Sequence, residues 1–532
     1  MAEEAVKQAA PGPPGDTPAD VYAHRWWILF GLVLAAALEI LDTTIVNVAL
    51  PQMAGNLSAS TDEIAWVSTG YILSNVVVLP MTAFLSSHFG RKNYLIASLV
   101  IFNIARFMCG LSSSLGEIVF WRLVQGAGGA ALISTAQSTI VEIFPRSQTA
   151  MVQAIFSLGL VVAPTLGPAL GGYITDNYSW QAIFFVHVPV GLACLWIVAA
   201  YLKDSLHQVR AATVDITGIG LLAVGMGSLQ YVLEEGERWD WFQDKWIARL
   251  SVIAVVTLVA FVVWELSPRN KHPVLDLRVL KDRGLAGAVI IALSLGFGLY
   301  GGVFIYSLFA QQILGFPPTA TGLILIPGGI ATAVGSIICG RILAKGADPR
   351  ILVMISMVVY MISMWMLGHL TLQTGEAEMQ MGLLVRGAAL GFMFVPMAVA
   401  AYAGLQGPSI AQGAAIFNLA RQMGGSFGIA ILTTYVVDHM HYHRANLVTS
   451  IYSGRIEAMH RIAGMAAHMV THGYSGPEAR KAAIGAVGFS IQAQSATMAY
   501  NDGFLLLGVM FFVSLPVVLL LRRPRRSPAQ AR

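Results

Sequence analysis

The chain has 532 residues, of which 56% are hydrophobic and 11% charged, with a net charge of +4. An ordinary soluble domain carries roughly 25% charged residues, so a water-facing globular protein is excluded and a multi-span membrane protein is expected. With 32 basic against 28 acidic residues, nothing in the balance of charge calls for a nucleic-acid partner.

The opening, MAEEAVKQAAPGPPGDTPAD, has no basic stretch followed by an apolar one, so it reads as a disordered tail and not as a signal peptide. Apolar runs separated by turn or charge signals then give fourteen spans. The first six fall near 26–50, 63–85, 93–111, 116–140, 149–174 and 180–202, and two more near 214–233 and 246–267. The last six fall near 284–310, 319–343, 351–372, 381–405, 412–437 and 498–521. Three cysteines, Cys109, Cys194 and Cys339, each stand in an apolar run and read as packing residues, with no disulfide or metal-ligand spacing.

Basic residues cluster in alternate loops: Arg91 and Lys92; Arg146; Lys203 and Arg210; Arg269, Lys271, Arg278 and Lys281; Arg341, Lys345 and Arg350; and Arg522, Arg523, Arg525 and Arg526. The intervening loops carry acids such as Asp62, Glu63, Glu117, Asp176 and Glu237. By the positive-inside rule the basic side is cytoplasmic, which places both termini inside and requires an even number of spans. The expected layout is a cytoplasmic tail at 1–25, a six-helix half at 26–203 and an inserted transmembrane hairpin with its linkers at 204–283. A second six-helix half follows at 284–522, including an outer segment at 438–496, and a basic tail at 523–532 closes the chain.

The first span contains LEILDTTIVNVALP, which sets Glu39 and Asp42 inside an apolar segment. An ionisable side chain there costs about 2.5–3.5 kcal/mol, so it faces a protein interior or a wet cavity and is commonly functional. A spacing of three puts both acids on one helical face, with Thr43 beside them. Mutual repulsion and burial both disfavour the doubly charged state, as a reversible proton carrier requires. The competing reading is a pair of salt bridges that only hold helices together.

The two halves repeat one another. After the second span of each comes a basic hairpin, AFLSSHFGRK at Ala83–Lys92 and GRILAKGADPR at Gly340–Arg350. The fourth spans begin RLVQGAGGA from Arg122 and RGAALGFMF from Arg386. The fifth are Gly-rich, GLVVAPTLGPALGG from Gly159 and RQMGGSFGIA from Arg421. Gly90, Arg91 and Lys92 suit either a latch between access states or a plain topology anchor. Arg122 needs a buried partner, for which Asp42 is the best candidate; pairing with or without proton coupling is open. Gly159, Gly167, Pro168, Gly171 and Gly172 give the fifth helix a smooth, kinkable face, suited to packing and gating alike.

Asn103 and Arg106 share a face of the third span, and Asn418, Arg421 and Gln422 cluster in the thirteenth. Four intramembrane arginines exceed what packing needs, so Glu39, Arg106, Gln125, Asn418, Arg421 and Gln422 are candidates to line a substrate cavity. His187 and His369, in or near spans, read as hydrogen-bonded packing groups or as titrating ones. In DHMHYHR the residues His439, His441 and His443 alternate, so a strand would make them a one-faced imidazole row able to bind metal. A solvated loop followed by short amphipathic helices is the reading taken, with no metal, because no other Cys or His cluster completes a ligand set. No GxxxxGK[ST] phosphate loop is present, which disfavours nucleotide-driven transport.

These motifs together resemble the major facilitator superfamily, and within it the fourteen-helix drug:proton antiporters of the EmrB and QacA type. LDTTIVNVALP looks like the family's first-helix motif, RLVQGAGG like its fourth-helix motif and GLVVAPTLGPALGG like its fifth-helix antiporter signature. HPVLDLRVLKDR, from His272 to Arg283, is similar to the linker after the inserted hairpin. The resemblance implies an all-α fold of two six-helix halves plus a hairpin, and proton coupling through Asp42, Glu39 and Arg122. It implies export of amphipathic drugs by alternating access, in a bacterial inner membrane, with no cofactor besides the coupling proton and no enzymatic step. It also implies a periplasmic adaptor and an outer-membrane channel as partners, alongside membrane lipid. The hairpin motif departs from the family, with Ser87 where Asp is usual and Ala83 where Gly is usual. Two other function classes fit parts of the sequence: a transporter-like lipid-handling or sensor protein, and an intramembrane metalloprotein built on the histidine row.

Overall fold

A computed structural model describes residues 23–145, 148–203, 214–270, 273–451 and 455–521. The expected tails, Arg146, Arg210, Lys271, His272 and the basic run from Arg522 lie outside the described residues. The described residues are helical throughout, with no strand among them. In chain order the first half is α1 Arg25–Asn56, α2 Trp66–Phe89, α3 Arg91–Leu111, α4 Leu115–Ile143, α5 Thr149–Asn177 and α6 Ala182–Tyr201. Next come α7 Ile216–Glu235 and α8 Lys245–Leu266. The second half is α9 Arg283–Ile313, α10 Pro318–Ala344, α11 Pro349–Leu367, α12 Glu376–Tyr402, α13 Pro408–Thr449, α14 Ile456–Thr471 and α15 Gly476–Ser514. Twelve helices among the described residues are long and apolar enough to cross a membrane. The protein is a multi-span integral membrane protein with an all-helical fold.

Local chemistry sets the helix ends. Ser114, Asp215, Asp244 and Asp282 each cap a following helix by accepting a backbone N–H, satisfying donors that the first turn leaves free. Pro80 sits in a 3₁₀ turn, Leu79–Met81, that interrupts α2 where an N–H is missing. At Gly90 the backbone turns with φ +90°, a left-handed value that glycine adopts without strain, and α3 starts at once.

In the first half, α1 packs on α5 and α6, and α3 and α4 pack on each other. The second half repeats this with α9 on α13 and α11 on α12. The halves meet along two seams, α5 against α10 on one side and α4 with α2 against α13 on the other. The fifth helix is glycine-rich because it is squeezed from both sides: Gly167 and Gly171 lie against Thr44 and Ile45 of α1, while Gly172 lies against Thr319 of α10. Helices α7 and α8 lie side by side, and α7 covers the other seam against α2 and α13. This pair is tied to α13 at both ends, by Trp241 Nε1 donating to Thr434 Oγ1 at 2.9 Å and by the Asp276 N–H donating to Gln412 Oε1 at 3.1 Å.

The structure corrects the reading of 438–496. Helix α13 continues unbroken through the histidine segment to Thr449, and α15 begins at Gly476, capped by a reciprocal Ser475–Glu478 arrangement with Pro477 in its first turn. Only α14 stands as a separate short helix, packed on α15. On a helix, residues two apart point to different faces, so the imidazole row does not form. His439 stacks on Tyr435 with centroids 3.8 Å apart, and His443 Nε2 pairs with Asp502 Oδ2 of α15 at 2.6 Å. No group of three or more His, Cys, Asp or Glu suited to a metal occurs among the described residues.

Candidate functional site

Three helices of the first half bring charge to one point. Asp42 of α1 is fully buried, its Oδ1 paired with Arg106 of α3 and its Oδ2 with Arg122 of α4. Arg122 also donates through Nε to the Val67 carbonyl at 2.8 Å and through Nη1 to Gln125 Oε1 at 3.0 Å. Its guanidinium lies over the Tyr71 ring at 4.4 Å. One carboxylate thus serves two guanidiniums, leaving this cluster with a surplus positive charge when the acid is ionised. A buried pair broken on one side leaves the other charge uncompensated at a cost of roughly 3–5 kcal/mol, so the state of Asp42 governs how strongly α1, α3 and α4 hold together.

Glu39, one turn away and also buried, has different neighbours. Its Oε1 accepts from Asn75 Nδ2 at 3.1 Å and its Oε2 from the Ile133 N–H at 3.2 Å, both neutral donors. No cation lies within ion-pair distance of it among the described residues. Arg421 of α13 is itself buried, donates through Nη1 to Tyr300 Oη at 2.5 Å, and has Nε and Nη2 without hydrogen-bond partners among the described residues. Asn418, one turn before it, donates to Gln137 Oε1 of α4 at 2.7 Å and so joins the two halves, while Gln422 is half-buried.

The pairing of Arg122 with Asp42 is the one the sequence pointed to. Arg106 and Gln125, read as cavity candidates, belong to the Asp42 network. Sequence reasoning missed Tyr71, Asn75, Gln137 and Tyr300, although Asn75 and Gln137 were visible as amides inside apolar spans. His187 is buried and bonded through Nδ1 to the Ile183 carbonyl at 2.7 Å; His369 is exposed and bonded to the Trp365 carbonyl at 2.7 Å.

At the basic hairpin, Arg91 pairs with Glu142 at the end of α4, and Lys92 Nζ donates to the Ala199 carbonyl of α6 at 2.9 Å. Ser87, in the place of the family's usual Asp, turns its hydroxyl to the Phe84 carbonyl of its own helix at 2.7 Å. Glu142 supplies the acid to this hairpin from a different helix.

Residues 32–429 match the family model described as Major Facilitator Superfamily. The chain belongs to the major facilitator superfamily. Among superfamily members it is 34% identical over 426 residues to the multidrug export protein EmrB of Escherichia coli (strain K12), covering 79% of this chain and 82% of that protein. It is 32% identical over 509 residues to the fatty acid resistance protein FarB of Neisseria gonorrhoeae, covering 94% and 97%. The fold is similar to that of the human organic anion transporter MFSD10, with a TM-score of 0.55 at 13% identity, over 93% of this chain and all of that one.

Proposed function

We propose that this protein is a drug:proton antiporter that exports amphipathic, lipophilic small molecules by alternating access, with Asp42, Glu39 and Arg122 as its proton-coupling groups. The observation that carries the reading is the Asp42 network: a buried carboxylate clamped by guanidiniums from two other helices, one turn from a second buried acid with no clamp. Loading or releasing a proton there alters the attraction among three helices, which is the differential interaction that a conformational step needs. The names of EmrB and FarB, an export protein and a resistance protein, support the same direction of transport.

In this reading Arg421, Asn418 and Gln422, at the meeting of the halves, face the substrate path together with Glu39. Gly159, Gly167, Pro168, Gly171 and Gly172 let α5 slide between α1 and α10. The Gly90, Arg91 and Lys92 hairpin, through Glu142, biases one access state. The continuous helices α5 and α13 join the twelve candidate spans to make fourteen, with α7 and α8 as the inserted hairpin between the halves at 26–203 and 284–522. The protein then sits in a bacterial inner membrane with both termini cytoplasmic, works as a transporter and not as an enzyme, and needs the proton alone as coupling species. A periplasmic adaptor and an outer-membrane channel complete the export route.

Reconstitution into vesicles under an imposed proton gradient tests the reading. Uphill flux of a lipophilic dye that collapses with the gradient is expected; flux indifferent to the gradient would overturn the antiport assignment.

A further inference from the structure

The internal repeat places the third and fourth helices of each half against the first. In the first half, Arg106 of α3 and Arg122 of α4 meet on Asp42 of α1. In the second half, Tyr360 of α11 and Arg386 of α12 meet on α9, and what they meet is bare backbone. Tyr360 Oη donates to the Gly298 carbonyl at 2.9 Å, and Arg386 Nη2 donates to the carbonyls of Gly298 at 3.1 Å and Leu299 at 2.9 Å. Both donors are buried, and Arg386 has no ion pair among the described residues.

These two carbonyls belong to a π turn, Phe297–Gly301, the first of two in α9; the second, Phe309–Ile313, closes the helix. A π turn shifts the backbone hydrogen bonds by one residue, and such turns recur at functional sites within helices. Carbonyls displaced in this way inside a membrane need partners from neighbouring helices. The sequence makes room for those partners. A Cβ on Gly302 would lie 2.9 Å from Arg386 Nε, and one on Gly298 would lie 2.7 Å from Tyr360 Oη. The same turn carries Tyr300, whose hydroxyl accepts from Arg421.

The geometry points to Arg386 as a positioning residue which, with Tyr360, latches the π turn of α9 at the place that Asp42 holds in the first half, and whose acceptor takes up no proton. The consequence rests on the antiport reading. The helix junction of the first half changes strength when its acid is protonated, whereas the junction of the second half is constant and yields only when α9 changes its hydrogen-bond register. The two halves then divide the work: one responds to the proton, and the other holds α9 against it until the first has moved.

The test uses the full-length protein in lipid nanodiscs and vesicles. Hydrogen exchange at the amides of 297–305 is measured in the wild type, Arg386→Met, Arg386→Lys and Tyr360→Phe, and proton-driven export is measured across pH in the same set. Loss of a charge-assisted hydrogen bond predicts roughly tenfold or faster exchange in Arg386→Met, with Arg386→Lys intermediate. Its maximal export falls while the pH midpoint stays at the wild-type value, because the lost acceptor does not titrate. Wild-type exchange at 297–305 in Arg386→Met, or a displaced midpoint, would overturn the latch. Should Arg386→Met fail to accumulate, Gly302→Ala, which crowds the guanidinium, and Tyr360→Phe carry the same two readouts. Absence of gradient-driven flux in the wild type would count against antiport, while exchange at 297–305 would still decide the latch.

Discussion

Glu39 and Asp42 stand three residues apart on one helix, yet Asp42 meets two guanidiniums and Glu39 meets only an amide and a peptide N–H. The difference arises from which neighbour each acid faces. Asp42 looks toward the crossing of α3 and α4, whereas Glu39 looks toward Asn75 of α2 and the Ile133 N–H of α4. Two acids that look equivalent in sequence therefore sit in different surroundings.

Asp42→Asn is expected to abolish uphill export while the protein still accumulates in the membrane. The amide fills the same space and still accepts a hydrogen bond from a guanidinium, but it does not alternate between charged and neutral forms. Gradient-driven dye efflux from vesicles is the measurement, and undiminished efflux by this variant would contradict the assignment.

Glu39→Gln should change which compounds are carried more than whether protons move. A glutamine oxygen still accepts from Asn75 and Ile133, so the local fold is kept, while the ionisable carboxyl is lost. Comparing export of cationic, neutral and anionic dyes checks this, and an equal loss for all three would argue against it.

Arg122→Ala removes one of the two charges that favour the ionised form of Asp42. The carboxyl then holds its proton more tightly, so release requires a higher pH and the midpoint of export moves in the alkaline direction. Arg122→Lys, which keeps the charge but loses the forked geometry, should lie between alanine and wild type. Proton release on substrate binding to purified protein, followed across pH, reports the shift; an identical midpoint in Arg122→Ala would mean that the two residues are uncoupled.

Asn418 and Gln137 join the halves through one buried hydrogen bond at 2.7 Å. In a double-mutant cycle of Asn418→Ala and Gln137→Ala, the coupling energy read from the balance of access states should be about 1 kcal/mol. Spin-label distances between the two halves supply that balance. Simple additivity of the two substitutions would place the bond outside the conformational step.

The partnership of Asp42 and Arg122 was legible because charge in a span is costly and must be satisfied, and the first helix of the same half offers buried acids. That Arg106 shares the same acid was not legible, since it depends on how α3 and α4 cross, and no local pattern encodes a crossing. The helical course of the histidine segment was not legible for a related reason. A run as short as DHMHYHR fits a period of two or of 3.6 equally well, and the choice was made by its continuity with a helix beginning at Pro408. The π turn of α9 left a faint trace in the glycines of LGFGLYGG, but its carbonyl partners, Tyr360 and Arg386, come from distant positions.

Helix α13 has 42 residues, about 63 Å at a rise of 1.5 Å per residue, against a hydrocarbon thickness of about 30 Å. Its far end therefore stands clear of the bilayer, braced to α15 by the contact between His443 and Asp502. A rocking of roughly ten degrees at the membrane would carry a tip some 30 Å away through about 5 Å. On the alternating-access reading, rearrangement inside the bundle is thereby carried outside it as travel of the tip.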